Sequence, residues 1–296
     1  MISVVVVNYN SGAFLKDCVQ SVLGQADEVM IVDNASMDGS LDQLTACFEN
    51  EPRLKIFRNK TNRGFAAGCN IGLSAATEPY ILFLNPDCFL GADSLQRMVQ
   101  VLEADSRTGM VGGMLINPDG TEQAGGRRAV PTPWLSFVRA SGLSRLSERY
   151  PRLFSDFLLH QQPLPDGPVE VEAISGSCML VRRDALLDVG TMDEGYFLHC
   201  EDLDWCMRFR QRGWKIMFVP EARVVHHQGT CSKTRLIFVE WHKHKGMIRF
   251  YGKFFRHQYP GVLFWIVGFG VWLRFGAVAA YHNVRYLKQW LKHDRF

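Results

Sequence analysis

Four groups of side chains in this 296-residue sequence have the types and spacing that chemistry requires. The densest is Glu201-Asp202-Leu203-Asp204, three carboxylates at what reads as a helix start. Acids in a first helical turn suit the macrodipole, so capping alone would account for them. Neighbours on a helix point about 100° apart, however, so Glu201 and Asp202 cannot share one task. One can enter a cleft as a general base while the other orients it, and each raises the other's pKa towards neutrality. Glu201, Trp205 and Arg208 fall on one helical face, which leaves a Glu201–Arg208 link open.

The second group is Asn85-Pro86-Asp87, directly after the apolar run Tyr80–Leu84. A carboxylate held by the rigid proline turn can offer oxygen to a divalent cation (Mg or Mn) bridging a diphosphate, although an ordinary turn has the same composition. The third is Asp33 with Ser36 and Asp38, at the tip of the second strand. Asp33 can accept from a pyrimidine N3–H or a ribose hydroxyl there, and all three can equally serve as helix caps. The fourth is His226-His227; strand alternation puts the two rings on opposite faces, so at most one reaches a site as a metal or phosphate ligand.

The elements that must position these groups alternate between strand and helix. Ile2–Val7 is a strand, and Ser11 can cap a helix from Ala13 whose stripe is Phe14, Leu15, Cys18, Val19, Val22 and Leu23. Strands follow at Glu28–Val32 and Leu54–Phe57, separated by a helix with Leu41, Leu44, Cys47 and Phe48 inward. Tyr80–Leu84 is continuously apolar, as a central strand buried on both faces must be. This alternation implies a parallel, doubly wound α/β sheet whose ligands sit at the strand tips. Regularity ends near Ile116; the stretch from Asn117 to Pro168 carries seven prolines and reads as an irregular insertion able to form an acceptor-binding loop. It returns with a strand pair in Val169–Arg182, a helix at Asp184–Val189 and strands after Lys215.

Composition bounds the rest. With 47% hydrophobic and 21% charged residues a folded core is assured, and a net charge of +3 is too small to imply a nucleic-acid partner. Eight scattered cysteines without a C-x-x-C pair fit free thiols in a reducing cytoplasm, and the N-terminus reads as a first strand rather than a signal peptide. No G-x-G-x-x-G follows the first strand and no G-x-x-x-x-G-K-[ST] occurs, which disfavours dinucleotide cofactors and P-loop ATPases.

Taken in order, V-V-V-V-N-Y-N-S, V-D-N-A-S-M-D-G-S, N-R-G-F-A-A-G-C-N-I-G, the strand ending N-P-D, G-S-C-M-L-V-R-R, M-D-E-G-Y-F and E-D-L-D-W-C-M-R-F-R-Q-R-G-W resemble the family 2 glycosyltransferases, and within them the bacterial rhamnosyltransferase-like branch. The resemblance covers most of Ile2 to Ser232 and implies a GT-A fold, a nucleotide-diphosphate-sugar donor and inversion at the anomeric carbon. It casts Asp202 as the catalytic base with Glu201 in support, Asp33 as the base-contacting aspartate, and Asp87 as the last acid of a D-x-D metal motif whose first position is Asn85. Asn8, Asn10, Asn34, Ser36, Asn62, Gly64 and Asn70 fall in the donor-binding motifs, and His226 (or His227, given Gly229 and Ser232) matches the metal-binding histidine. An amide at Asn85 ligates without charge, which weakens metal affinity. The branch implies dTDP-rhamnose as donor first and a UDP-sugar second, a polyprenyl-linked glycan as acceptor, and work at the cytoplasmic face of the bacterial inner membrane. A processive synthase would need Q-x-x-R-W, which Gln211-Arg212-Gly213-Trp214 does not supply. A silent nucleotide-sugar-binding scaffold would not need Asp87, Glu201 and Asp202 together.

The chain thus divides into a glycosyltransferase domain over 1–235, with a nucleotide-sugar half at 1–116 and an acceptor half at 117–235, and a membrane-associating helical extension over 236–296. In that extension 261–280 is almost wholly apolar apart from Arg274 and is flanked by Lys243, Lys245, Arg249, Lys253 and Arg256 before, and Arg285, Lys288 and Lys292 after. With Trp265, Trp272, Tyr281 and Trp290 this fits a helix in the interface of an anionic membrane better than a true span, because Arg274 makes crossing costly.

Overall fold

The computed structural model describes residues 1–229 and 235–293; Cys231 and Ser232 lie outside them, as do the side chains of Lys288, Trp290 and Lys292. The first half runs β1 (Ile2–Asn8), α1 (Phe14–Leu23), β2 (Glu28–Asp33), α2 (Ser40–Cys47), β3 (Leu54–Arg58), α3 (Phe65–Ala75), β4 (Tyr80–Leu84), β5 (Cys88–Leu90), α4 (Ser94–Ala104) and β6 (Thr108–Ile116). The insertion holds β7 (Arg127–Arg128), α5 (Pro133–Ala140) and α6 (Pro151–Phe154). Then come β8 (Val169–Glu170), β9 (Ala173–Ile174), β10 (Cys178–Arg182), α7 (Arg183–Val189), α8 (Glu201–Gln211), β11 (Lys215–His226), α9 (Leu236–Phe254) and α10 (Gly261–His293).

One mixed sheet carries strands from both sides of residue 116, in the order β3-β2-β1-β4-β10-β6-β11-β5, with β8 on β11. β3, β2, β1 and β4 are parallel, as their apolar runs require. β10 enters antiparallel between β4 and β6, and β6 pairs parallel with β11. Both faces are covered: Val5, Val7 and Phe83 pack on one side with Trp205, while Val4, Val6 and Leu82 pack on the other with α1 and α4. Phe83 and Trp205 meet edge to face at 5.3 Å, an arrangement aromatic quadrupoles favour.

Several local expectations are corrected. Cys47 is exposed, because α2 ends there and the chain turns outward. Ser11 does not cap α1; its hydroxyl donates instead to Asn8 Oδ1 inside the donor-side network. The insertion is not an open loop: Pro133 sits in the first turn of α5, and Thr132 Oγ1 caps it by accepting from Leu135 N at 3.2 Å. Arg208 does not reach Glu201; it donates to Asp204 Oδ1 one turn away at 2.7 Å.

α9 packs against the turn that precedes α8. A Cβ on Gly246 would lie 2.9 Å from His199 O, so a glycine is needed for that approach. α10 lies on α9 through Trp241 and Trp272, centroids 4.9 Å apart, and Arg274 Nη1 meets His244 Nε2 at 3.2 Å. Within Gly261–Tyr286 the most apolar 18 residues have a mean hydropathy of 1.9, and the helix is long and apolar enough to cross a membrane. Its most apolar stretch is only 6% buried, so α10 does not cover the sheet.

Candidate active site

A cavity of about 640 Å³ opens where the tips of β1 and β4 face the start of α8. Asn85 and Asp87 form one wall, Glu201 and Asp202 another, and Asn34, Asn62, Gly64 and His226 complete the set of sequence candidates it gathers. Arg128 and Glu240 also line it, and Arg128, Glu201 and Glu240 each have a buried polar atom (Nε, Oε2 and Oε2) without a hydrogen-bond partner among the described residues. Buried polar atoms are nearly always satisfied, so three such atoms around one cavity mark a place built for a polar ligand.

The metal wall follows from strand pairing. Pro220 cannot continue a ladder, and β11 shifts register between Val219 and Arg223, next to it. Beyond that bulge β11 pairs antiparallel with β5, setting His226 opposite Cys88 and next to Asp87. His226 Nε2 lies 3.3 Å from Asp87 Oδ1, both side chains buried. The Gln123 amide fixes the ring: its Nε2 donates to Asn117 Oδ1 and to His226 O, so its Oε1 must accept from His226 Nδ1, at 2.5 Å. Nδ1 then carries a hydrogen, which leaves Nε2, facing the Asp87 carboxylate, as the ring atom that can ligate. A ring nitrogen facing a carboxylate is what a cation between them requires, so this donor set fits a divalent metal. Cys88 is also within reach, but its side chain packs in the core and a thiol suits a hard cation poorly. His227 is on the opposite face, its ring between Phe14 and Phe89 at 5.0 and 5.1 Å, so the alternative to His226 falls away.

The carboxylate wall is set by backbone strain. His199 and Cys200 both adopt left-handed φ, 68° and 71°, a conformation non-glycine residues rarely hold outside functional turns. α8 starts directly after them with Glu201 and Asp202 both buried. Asp202 Oδ2 accepts from Arg128 Nη2 at 2.5 Å and from Gly176 N at 3.0 Å. Burial alone would raise this carboxyl; the Arg128 guanidinium and the N–H groups of Gly176 and Leu203 outweigh it and hold Asp202 below the usual carboxylate range. Glu201 goes the other way, pushed up to about 8 by burial and then by the Asp202 charge. Two adjacent acids are thereby driven to opposite protonation states.

On the donor side the candidates divide. Asn34 Nδ2 donates to Gly64 O at 3.0 Å, and Asn62 Oδ1 accepts from Gly64 N at 2.9 Å, forming the cavity rim. Gly64 has φ +87°, and Phe65 N donates to Phe197 O at 2.8 Å, joining this rim to the segment before α8. Asn85 Nδ2 donates to Ser177 Oγ at 3.2 Å. Asn8, Asn10, Asp33 and Ser36 lie behind the cavity surface in one network: Asn8 Nδ2 reaches Asp33 Oδ1 at 2.8 Å and Ser36 Oγ at 3.1 Å, and Asn10 N donates to Ser36 Oγ. Asn70 is not with them; it bonds the Met192 backbone and Glu194, tying α3 to the loop before α8. Sequence reasoning missed Arg128 and Gln123. An Arg-Arg doublet and a lone glutamine carry no local signal, because their partners lie 74 and 103 residues away.

Comparison with known proteins places this site in context. The family model described as glycosyl transferase family 2 matches residues 3–190. An N-acetylglucosaminyl-diphospho-decaprenol L-rhamnosyltransferase of Mycobacterium tuberculosis is 30% identical over 243 residues, covering 77% of this chain and 76% of that protein. The rhamnosyltransferase WbbL of Escherichia coli is 23% identical over 244 residues, covering 77% and 83%. Among solved structures, GalNAc-T7 with UDP, GalNAc and Mn2+ superposes with a TM-score of 0.58 at 20% identity, over 76% of this chain and 43% of its own. A Pyrobaculum calidifontis mannosyltransferase with GDP-Man and Mn2+ gives 0.57 at 18% identity, over 86% and 64%. These likenesses establish the GT-A fold. Family model and relatives agree on the rest: the chain belongs to glycosyl transferase family 2 and is a glycosyltransferase.

Proposed function

We propose that the enzyme moves a sugar, rhamnose from dTDP-rhamnose first and a UDP-sugar second, onto a hydroxyl of a polyprenyl-diphosphate-linked glycan, with inversion. The observation that carries this reading is that Asp87 with His226 and Asp202 with Glu201 line one cavity from different walls. A Mg or Mn ion held by Asp87 and His226 would neutralise charge on the leaving diphosphate. Asn34, Asn62 and Gly64 bind the donor at the rim, with Asp33 and Asn8 shaping the turn behind them. Asp202, ionised at neutral pH, accepts the acceptor hydroxyl's proton as that oxygen bonds to the anomeric carbon; the carbon–oxygen bond to the diphosphate breaks on the opposite face and its electron pair leaves with the diphosphate. Glu201, protonated up to about pH 8, donates a hydrogen bond to a sugar oxygen. The decaprenyl-linked acceptor named for the mycobacterial relative and the exposed apolar α10 support a lipid-linked acceptor at the cytoplasmic face of the inner membrane, in cell-surface polysaccharide synthesis.

The Asp202→Asn variant tests the base. Transfer by purified enzyme is expected to fall at least about 10³-fold, with nucleotide-sugar binding within about twofold of wild type. Retained turnover would take Asp202 out of this role, and a collapse in Glu201→Gln alone would move the role to Glu201. A thermal-shift panel of nucleotide-sugars, with and without manganese, identifies the donor.

A further inference from the structure

We infer that the insertion is a second membrane-contacting element, in which the outer face of α5 and α6 rests on an anionic bilayer beside α10. The inner face of α5 is packed: Val138 is buried and Ser136 Oγ accepts from Tyr251 Oη of α9 at 2.6 Å. The outer face is bare. Trp134, Phe137, Tyr150 and Leu153 are 47%, 55%, 46% and 55% exposed. They form one cluster, with the Trp134 ring tilted against Phe137 and Phe154, and its Nε1 donating to Leu153 O at 2.8 Å. A patch of large aromatics in a soluble monomer marks an interaction surface.

Position and charge choose the occupant. Pro133, beside Trp134, encloses a small apolar void with Tyr259, Leu263, Phe264 and Val267, so the first turn of α5 is seated on the first turns of α10. The aromatic face therefore begins where the membrane-length helix begins, at the level where Trp and Tyr prefer to lie. The segment 133–156 contains Arg139, Arg145, Arg149 and Arg152 against Glu148 and Asp156, a net charge of +2, with Arg139 paired to Asp156. Arg145, Arg149 and Arg152 are exposed, and Arg149 lies 5.7 Å from the Tyr150 ring centroid. Basic side chains interleaved with aromatics suit anionic headgroups over an acyl boundary. A second copy of the same patch would set these positive charges against one another. The inference rests on α10 meeting a membrane, and it adds a consequence: Arg128, six residues before Trp134, holds Asp202, so the base is tied to the element that touches the lipid surface.

The test uses the full chain with Cys47→Ser and Cys231→Ser, reconstituted with vesicles of phosphatidylethanolamine and phosphatidylglycerol containing nitroxide-labelled lipid. An environment-sensitive fluorophore is placed at Phe137→Cys, or separately at Ile266→Cys on α10. The position-137 fluorophore is expected to shift to the blue and lose at least half its intensity to the nitroxide. Adding R145E, R149E and R152E is expected to reduce that quenching several-fold while leaving the position-266 signal unchanged. Quenching at 266 without quenching at 137 overturns the inference and leaves the α10 reading standing. Quenching at 137 without quenching at 266 overturns the inference as well, because it removes the α10 contact on which it rests. A blue shift at 137 that grows with protein concentration in the absence of vesicles assigns the patch to self-association and overturns it.

Discussion

Arg128→Met replaces the guanidinium that bonds Asp202 with an apolar side chain of similar length. The Arg128 and Asp202 side chains are 15% and 12% exposed, so solvent screens the pair little. Removing one partner of such a pair costs about 3–5 kcal/mol. Asp202 keeps its bonds from Gly176 N and Leu203 N, which puts the expected loss near the low end, about 3 kcal/mol, or roughly 6–12 °C in Tm at pH 8. The pH dependence separates this from a packing defect. In the wild type Asp202 is held below 3.8, so its stabilisation is complete above that value and is lost as the pH falls below it. Without Arg128 only the N–H groups of Gly176 and Leu203 oppose burial, the largest influence on this carboxyl, and the folded pKa of Asp202 is expected to rise above its unfolded value. The variant is then stable in mild acid and loses stability as the pH climbs. Thermal unfolding in detergent at pH 5 and pH 8 reads this directly: the gap to wild type must be wider at pH 8. The acid limb of the kcat/KM profile must also move up, and Arg128→Lys must recover part of both effects. An equal gap at the two pH values, or a wider one at pH 5, refutes the electrostatic account of Arg128.

Other positions are as testable. Gln123→Ala frees the His226 ring and should weaken manganese binding about 10–100-fold, measured by paramagnetic titration of the folded protein without substrate; unchanged affinity would take Gln123 out of the metal wall. Gly64→Ala would put a Cβ 2.6 Å from Phe197 O at a φ of +87°, and should cost about 2–3 kcal/mol by chemical denaturation; a neutral result would mean the rim can relax. Glu28, despite its burial, is brought down to about 2 by Lys55, Ser3 and Thr77, so its stabilisation is full above pH 4.5 and is lost as the pH falls through about 2. With Lys55 nearly half exposed, Glu28→Gln should cost only about 1–2 kcal/mol at pH 7 and flatten that acid limb; an unchanged limb would place the titration elsewhere.

Much of the fold was legible because its determinants are local. The runs Ile2–Val7 and Tyr80–Leu84 are apolar on both faces, and both become inner strands of the sheet. What the pattern could not show is direction at distance. β10 is as apolar as a parallel strand but enters antiparallel between β4 and β6, a choice made by the loop that delivers it and not by its own five residues. The insertion hid its helices for a related reason. Its prolines read as breakers, yet Pro133 and Pro151 occupy first helical turns, where a missing N–H costs nothing.

The acids of the site were legible for the opposite reason to the residues that tune them. Asp87 and Asp202 sit in local motifs, a strand tip and a helix start, and any chain that folds them locally presents them. Their chemistry is set elsewhere. Mutual repulsion, the effect visible in the sequence, raises both members of an adjacent pair; the structure raises Glu201 alone, because Arg128 arrives from β7 and bonds only Asp202. In the same way the identical pair His226-His227 is divided by one amide, Gln123, which turns a single imidazole Nε2 towards Asp87 while aromatic rings hold the other. Both discriminations are made by uncharged or oppositely charged partners remote in sequence, so a substitution at Arg128 or Gln123 should alter the protonation or ligand geometry of the site while every recognisable motif stays intact.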